Sequence, residues 1–517
     1  MAVVEPRLET LTRKLERGAG AVRIARLIVT LLFGAVIAIN LVAVVFDDTA
    51  LPFTHLATAL LAGYVLVEAR LYLRRTDAFG LLSPGFMALI FHFLLAYMVG
   101  ATASAFEPRV LMRHQSWLPE IDAQIADTML LAMLAAFCML RGAALAQPLA
   151  RKLRRKVQAS PQIRREIRPH LGFMIVVQLV YLGMVAYAIE LGVYGLLGTA
   201  ETRAQHLGVV QFLNLLLAAG TLSYFLILLV YFDRREQGRR ASAVTALVVV
   251  LITLHVVAGA LSAFKSQIVF PFVIAGFAYF LATRRIPTGF IAAVFVALVA
   301  AYAIVEPFRA YLGQVNERPA SLVEAVDALS TAYALREQYA HYSDLSRAEQ
   351  IAQRFDLAGM TTLAVDYVDR GALQASQRRD FQDSILLAPV LAYVPRAVWA
   401  EKPIYTTVGS WFNQNVRGNW QDESTSVGMG PIGYLYMAGG IFWVAIGFFG
   451  FGLLQALIFD GIARGGAGGL IIYLGVAGTL VTIPSSFGPA VVGVLRMLPI
   501  AFLAQMILLR GSRSRRP

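Results

Sequence analysis

LIVTLLFGAVIAINLVAVVF, Leu27 to Phe46, runs for twenty residues without a charge. At 1.5 Å per residue, a helix of that length covers the roughly 30 Å hydrocarbon core of a bilayer. Apolar runs that approach or exceed this length recur along the chain, which is 58% hydrophobic and only 15% charged. A soluble globular chain carries about a quarter charged residues. The pattern predicts an all-α polytopic membrane protein. Twelve spans are expected, near 27–46, 51–69, 79–104, 123–141, 171–191, 208–232, 241–261, 267–283, 288–306, 427–457, 467–487 and 489–509. The tenth run is long for one straight span and is read as starting obliquely or as a re-entrant segment.

The net charge of +13 invites a nucleic-acid reading, and the placement of the charge argues against it. The cations cluster between apolar runs, from Arg7 to Arg26, Arg70 to Arg75, Arg141 to Arg168, Arg234 to Arg240, at Arg284 and Arg285, and from Arg510 to Arg516. Clusters on alternate turns orient a helical membrane protein and attract anionic lipid. With both termini in the cytoplasm, the inside segments hold 29 of the 45 Lys and Arg residues. The first helix is expected to stay in the membrane, because no short cleavable signal precedes it. Cys138, the one cysteine, has no partner for an intramolecular disulfide and no neighbours that suggest a metal site.

Three segments follow from this pattern: a transmembrane bundle over 1–306, a long outer loop over 307–426, and further spans over 427–517. The loop is too long for a simple connection and is read as a helical periplasmic cap, part of which lies on or dips into the membrane. It holds eleven cations and fourteen carboxylates, most of which are expected to pair with one another.

Some cations resist that account. Lys265, in GALSAFKSQIVFP, lies at a tight outside junction, where it either snorkels to headgroups or faces a lipid-linked phosphate. Arg309 caps the ninth span, and Glu306 beside it is a candidate partner or base. Arg496 lies within the last span and needs either a structural partner or a substrate path. VPRAVWAEKP, Val394 to Pro403, is the densest group. Its prolines restrict the backbone, Arg396 offers a donor fork for phosphate oxygens, and Lys402 adds a mobile charge. Trp399 and Trp411 present faces that stack on sugars or sit at the membrane interface. With Tyr405, Asn413 and Asn415 nearby, and Arg417 following, the group reads as a polar binding floor. Such a site suits transfer from a lipid diphosphate. Fixed cations stabilise the leaving group as its charge develops, and a carboxylate takes the acceptor proton. Glu306, Asp356, Asp366, Asp380, Glu401, Asp422 and Glu423 are all available for that role, and the residues do not single one out.

VPRAVWAEKP, then GSWFNQNVRG, then ESTSVGMGPIGYLYMAGGIFWVAIGFFGFGLL resemble the bacterial O-antigen and exopolysaccharide repeat-unit polymerases. The matching positions are Pro395, Arg396, Trp399, Lys402 and Pro403, then Ser424 to Ser426, Gly433, Tyr434, Gly439 and Gly440. RFDLAGMTTL, from Arg354, resembles the family's upstream Arg-containing stretch. The resemblance is sharp from Arg354 to Leu454. Elsewhere it is one of hydropathy. It implies a glycosyltransferase of the bacterial inner membrane that joins undecaprenyl-diphosphate-linked oligosaccharides at the periplasmic face. The implied step is an inverting displacement. Arg396, Lys402, Arg354 and Glu401 are its catalytic candidates. Lys265, Arg309, Trp399, Tyr405, Trp411, Asn413, Arg417, Tyr434 and Arg496 are its substrate-binding candidates. A chain-length-regulating co-polymerase and a flippase are implied as partners. Two features depart from the family. The Glu that many members carry just before the equivalent of Tyr434 is absent, and no spaced Arg and Gly pattern follows Arg396. Asp366 and Asp369 lack the spacing of an Asp-x-Asp metal motif, so neither a metal nor another cofactor is expected. Two alternatives stand beside this reading. One is an O-antigen ligase-like transferase, for which His341 is the sole outer-loop histidine. The other is a transporter of lipid-linked glycan, which would show internal repeats or interrupted helices.

Overall fold

The computed structural model describes residues 19–46, 51–106, 118, 120–160, 168–169, 171–198, 202, 205–239, 242–315, 318–319, 321–340, 349, 352, 355–394, 399, 408–421, 426–483 and 486–510. The helices run in the order α1 Ala19–Phe46, α2 Pro52–Arg75, α3 Pro84–Phe106, α4 Ile121–Leu145, α5 Gln147–Ala159, α6 Leu171–Glu190 and α7 Leu207–Glu236. Next come α8 Ser242–Leu261, α9 Lys265–Thr283, α10 Thr288–Gln314, α11 Leu322–Ala334, α12 Arg336–Ala340 and α13 Leu357–Asp369. The last are α14 Ala375–Leu386, α15 Ala388–Tyr393, α16 Val408–Asn415, α17 Gly430–Ala456, α18 Ala467–Thr482 and α19 Phe487–Leu508. Arg168–Pro169 and Leu509–Arg510 form a two-residue antiparallel pairing, with Arg168 opposite Arg510.

Among the described residues, ten helices are long and apolar enough to cross a membrane: α1, α2, α3, α4, α6, α8, α9, α10, α17 extended to Gly465, and α19. This is a multi-pass membrane protein. The expected sixth span falls within α7. The expected eleventh begins in α18, a 16-residue apolar helix shorter than the roughly 20 residues of a full span. Outward faces are apolar, with Leu31 63% and Phe46 82% exposed, a surface suited to lipid rather than water.

The chain divides into two compact units. The first is built on Arg165–Asp344 and Ile500–Pro517. Its core joins α6, α10 and α11 through Tyr181, Val185, Phe308, Leu312, Ala325 and Ala328. A polar cluster lies inside it. Gln178 donates to Ser223 Oγ at 2.6 Å, and its Oε1 lies 3.0 Å from His255 Nε2. These buried groups satisfy one another, as low-dielectric surroundings require.

The second unit is built on Glu16–Arg164 and Leu345–Pro499. Here α4 and α17 press backbone to backbone. A methyl on Gly142 would strike the Phe449 carbonyl, and one on Gly452 would strike the Met139 carbonyl. The Asp122 carboxylate, in the first turn of α4, accepts from the Phe53 and Thr54 amides at 3.0 and 2.7 Å, capping the start of α2. Farther along, Arg464 grips Asp77 with two hydrogen bonds of 2.9 and 3.1 Å and lies 3.0 Å from Asp460. Residues of the expected cap contribute to both units: α11 packs in the first and α13 to α16 in the second.

Candidate functional site

Within the region Arg354 to Leu454, α14, α16 and α17 meet around Phe381. Phe381 meets Trp411 edge-on at 5.6 Å and Tyr434 at 4.9 Å. The Tyr434 hydroxyl lies 2.5 Å from Ser384 Oγ, and both residues are buried. Gly488, at the start of α19, sits against Ser384, where a methyl would collide. Gln382 donates to the Ala438 carbonyl at 2.6 Å. Tyr434 is therefore a tie between α14 and α17.

Arg496 reaches the other end of this platform. Its guanidinium donates to the Ala392 and Leu391 carbonyls at 3.5 and 3.2 Å. Carbonyls at the end of a helix lack intrahelical donors, and a cation there also offsets the helix dipole. Tyr393 answers by donating to the Leu495 carbonyl at 2.8 Å. The structural partner expected as one option for Arg496 is thus the end of α15. VPRAVWAEKP begins at the next residue, Val394. Within it, Trp399 is partly buried. Arg354, Arg396, Glu401, Lys402 and Tyr405 lie outside the described residues, as does His341.

Asn413 and Arg417 form a local turn. The buried Asn413 Oδ1 accepts from Arg417 at 3.1 Å and from Asn419 at 3.0 Å. Asn415 donates to the Trp411 carbonyl at 3.0 Å. These groups shape the end of α16. In the first unit, Lys265 pairs with Glu306 and places its ammonium 3.5 Å from the Tyr302 ring centre. Arg309 donates to the Ala263 carbonyl at 2.8 Å. That carbonyl belongs to a turn in which Ala263 has φ 56°.

Several of the candidate bases are engaged. Glu306 holds Lys265. Asp356 caps α13 through the Gly359 amide at 2.8 Å. Asp366 accepts from Gln124 at 2.9 Å and pairs with Arg370. Asp380 is exposed.

The expected irregularity of the tenth span is a sharp break. Gly439 (φ 174°, ψ 37°) and Gly440 (φ 70°, ψ −158°) leave helical geometry inside α17. In a straight helix, residues 435 and 447 would stand about 18 Å apart. Here a methyl on Gly447 would run into the Leu435 side chain, so the two halves fold back on each other. Most of the first half, Gly430 to Ala438, is buried, as membrane-embedded irregular backbone must be.

Beside the break lies a cleft of about 420 Å³, lined by Gln124, Asp127, Leu130, Asp366, Tyr436 and Ile441 among others. Tyr436 donates to Asp369 at 2.8 Å. Sequence reasoning passed over Asp127 and Tyr436. An acidic residue inside the apolar run IDAQIADTMLLAM was the available signal for the first.

DUF8712, a domain of unknown function, matches residues 168–475, more than half of the chain. The chain belongs to the DUF8712 family. The family region includes every site residue expected from the sequence except Arg496, and leaves out Gln124 and Asp127 of the cleft. No curated protein and no solved structure matches the chain.

Proposed function

We propose that this chain is a glycosyl-transferring polymerase of the bacterial inner membrane. It joins undecaprenyl-diphosphate-linked oligosaccharide repeat units into O-antigen or exopolysaccharide at the periplasmic face, with both termini cytoplasmic. The observation that carries the reading is the pinned end of α15, which closes one residue before the cationic segment begins in the sequence. Arg496, Tyr393, Ser384 and Tyr434 hold α14 and α15, and VPRAVWAEKP follows directly in the sequence. A pinned platform favours charges fixed in advance of the reaction, and preorganised charge is what stabilises a diphosphate leaving group. Arg396 and Lys402 take that role, with Arg354 as a further cation. A carboxylate such as Glu401 accepts the acceptor proton. A flippase would supply the lipid-linked units, and a co-polymerase would set chain length.

A second reading draws on the break at Gly439 and Gly440. Interrupted helices beside a cleft also build transporter sites. One reconstitution separates the two. The purified protein in liposomes receives undecaprenyl-diphosphate oligosaccharide from its own host, and product length is read by mass spectrometry. The polymerase reading expects a ladder of products that falls about 100-fold in a folded Arg396→Ala variant. Movement of intact lipid-linked glycan across sealed vesicles, with no ladder, favours the transporter. A ladder that Arg396→Ala leaves unchanged removes Arg396 from the site.

A further inference from the structure

The cationic helix α5, QPLARKLRRKVQA, is folded onto the second unit by one side only. Ala150 and Val157 are buried. Leu153 lies against Gly461 and Val157 against Gly465, where a methyl on either glycine would collide with the side chain above it. Gln147 fixes the start of the helix by donating to Asp460 at 2.7 Å. At 100° per residue, Arg151, Lys152 and Arg155 then lie opposite the packed stripe, while Arg154 and Lys156 flank it. No ion pair within the described residues involves any of these five cations. Arg141, Lys265, Arg285, Arg370 and Arg464, by contrast, each have a carboxylate partner.

A second feature shares one flank of this helix. Leu145, at the end of α4, and Leu149, one turn later, are 68% and 54% exposed. Helical spacing puts them in line with Lys152 and Lys156. Exposed leucines beside lysines suit the boundary between acyl chains and headgroups, where the apolar stem is buried and the ammonium snorkels outward. A soluble polyanion would satisfy the cations and leave the leucines in water.

We infer that α5 is an interfacial helix that binds the headgroups of anionic phospholipids, with Leu145 and Leu149 dipping into the acyl layer and Arg151, Lys152, Arg155 and Lys156 holding the phosphates. The site stands independently of the polymerase reading. Each cation near an anionic membrane surface contributes about 1 kcal/mol, a factor of about five.

The test uses the full chain purified in mild detergent. Native mass spectrometry counts retained phosphatidylglycerol against phosphatidylcholine at equal supply. Native protein should prefer phosphatidylglycerol, and 0.5 M salt should abolish the preference. The Lys152→Gln/Lys156→Gln variant should weaken retention about 25-fold. The paired change Arg378→Gln/Arg379→Gln, two exposed cations of α14 outside the basic clusters, should leave it intact. Leu145→Ser/Leu149→Ser should lower retention of the lipid without altering the response to soluble glycerol phosphate. Equal retention of the two lipids by native protein would overturn the inference. So would an equal loss in both charge variants, or glycerol phosphate competing as well as the lipid.

Discussion

Replacing Gly440 by alanine isolates the backbone cost of the break in α17. At φ 70° and ψ −158° the residue occupies a region almost confined to glycine, and a side chain there costs about 1–3 kcal/mol. No atom lies within 4 Å of the added methyl, so no collision contributes. Gly439 makes the contrast. Its φ of 174° is ordinary extended backbone, but its added methyl would strike the Trp443 ring. Overpacking of that kind costs about 1–3 kcal/mol. The two variants should therefore destabilise by similar amounts for different reasons. A double-mutant cycle with Trp443→Ala separates them. The cost of Gly439→Ala should fall when the ring is gone, and that of Gly440→Ala should persist. Thermal unfolding in lipid discs gives the free energies, with shifts of a few degrees expected. A Leu435→Cys/Gly447→Cys pair in a Cys138→Ser background reads the geometry directly, since it can cross-link only if the halves double back. Failure to cross-link in folded protein, together with an unperturbed Gly440→Ala variant, would refute the broken helix.

Three further outcomes follow from the contacts. Arg496→Met withdraws a charged donor from the Leu391 and Ala392 carbonyls and should cost about 1.5–3 kcal/mol; limited trypsin digestion should then cut faster after Arg396, and an unchanged rate would show that the end of α15 is held by other means. Lys265→Met alone should destabilise by about 1–3 kcal/mol, less than a fully buried pair because Glu306 is 35% exposed; the double variant with Glu306→Leu should recover part of this in thermal melts, and an additive double variant would refute the coupling. Burial pushes the Asp77 carboxyl up, but hydrogen bonds and charge from Arg464 outweigh it and hold it below the usual carboxylate range. Its contribution is therefore complete above the unfolded pKa, about 3.9, and is lost as pH falls through the lower folded value; Asp77→Asn should flatten this acid limb of the stability profile, and an unchanged limb would mean that other groups set it.

Much of the membrane architecture was legible because hydropathy is a local signal. The run Leu27 to Phe46 announces its helix without reference to any other residue. The irregular tenth span was also readable, since its length and the pair Gly439 and Gly440 stand in the sequence. The partner of Lys265 was within reach because Glu306 borders the same turn. The Arg464 lock was not, because Asp77 stands 387 residues away and neither position carries a pattern that names the other. The platform role of Tyr434 was hidden for the same reason. Its hydroxyl is spent on Ser384, a long-range choice that no motif encodes. Asn413 read as part of a polar binding floor, and the fold uses it to close the end of α16.

The facing glycines Gly142 and Gly452 bear on how α17 can move. With no side chain between the backbones, its second half is clamped to α4 like a post set in a wall. Parting them would open an empty slot along both helices, and sliding them would drive Cα atoms into carbonyls. The first half, Gly430 to Ala438, has no facing-glycine contact with α4 and meets the second at two residues of non-helical backbone. Any opening of the cleft beside Tyr436 that moved this arm would therefore have to carry α14 with it, since Ser384 and Gln382 hold Tyr434 and Ala438, while the post stays fixed.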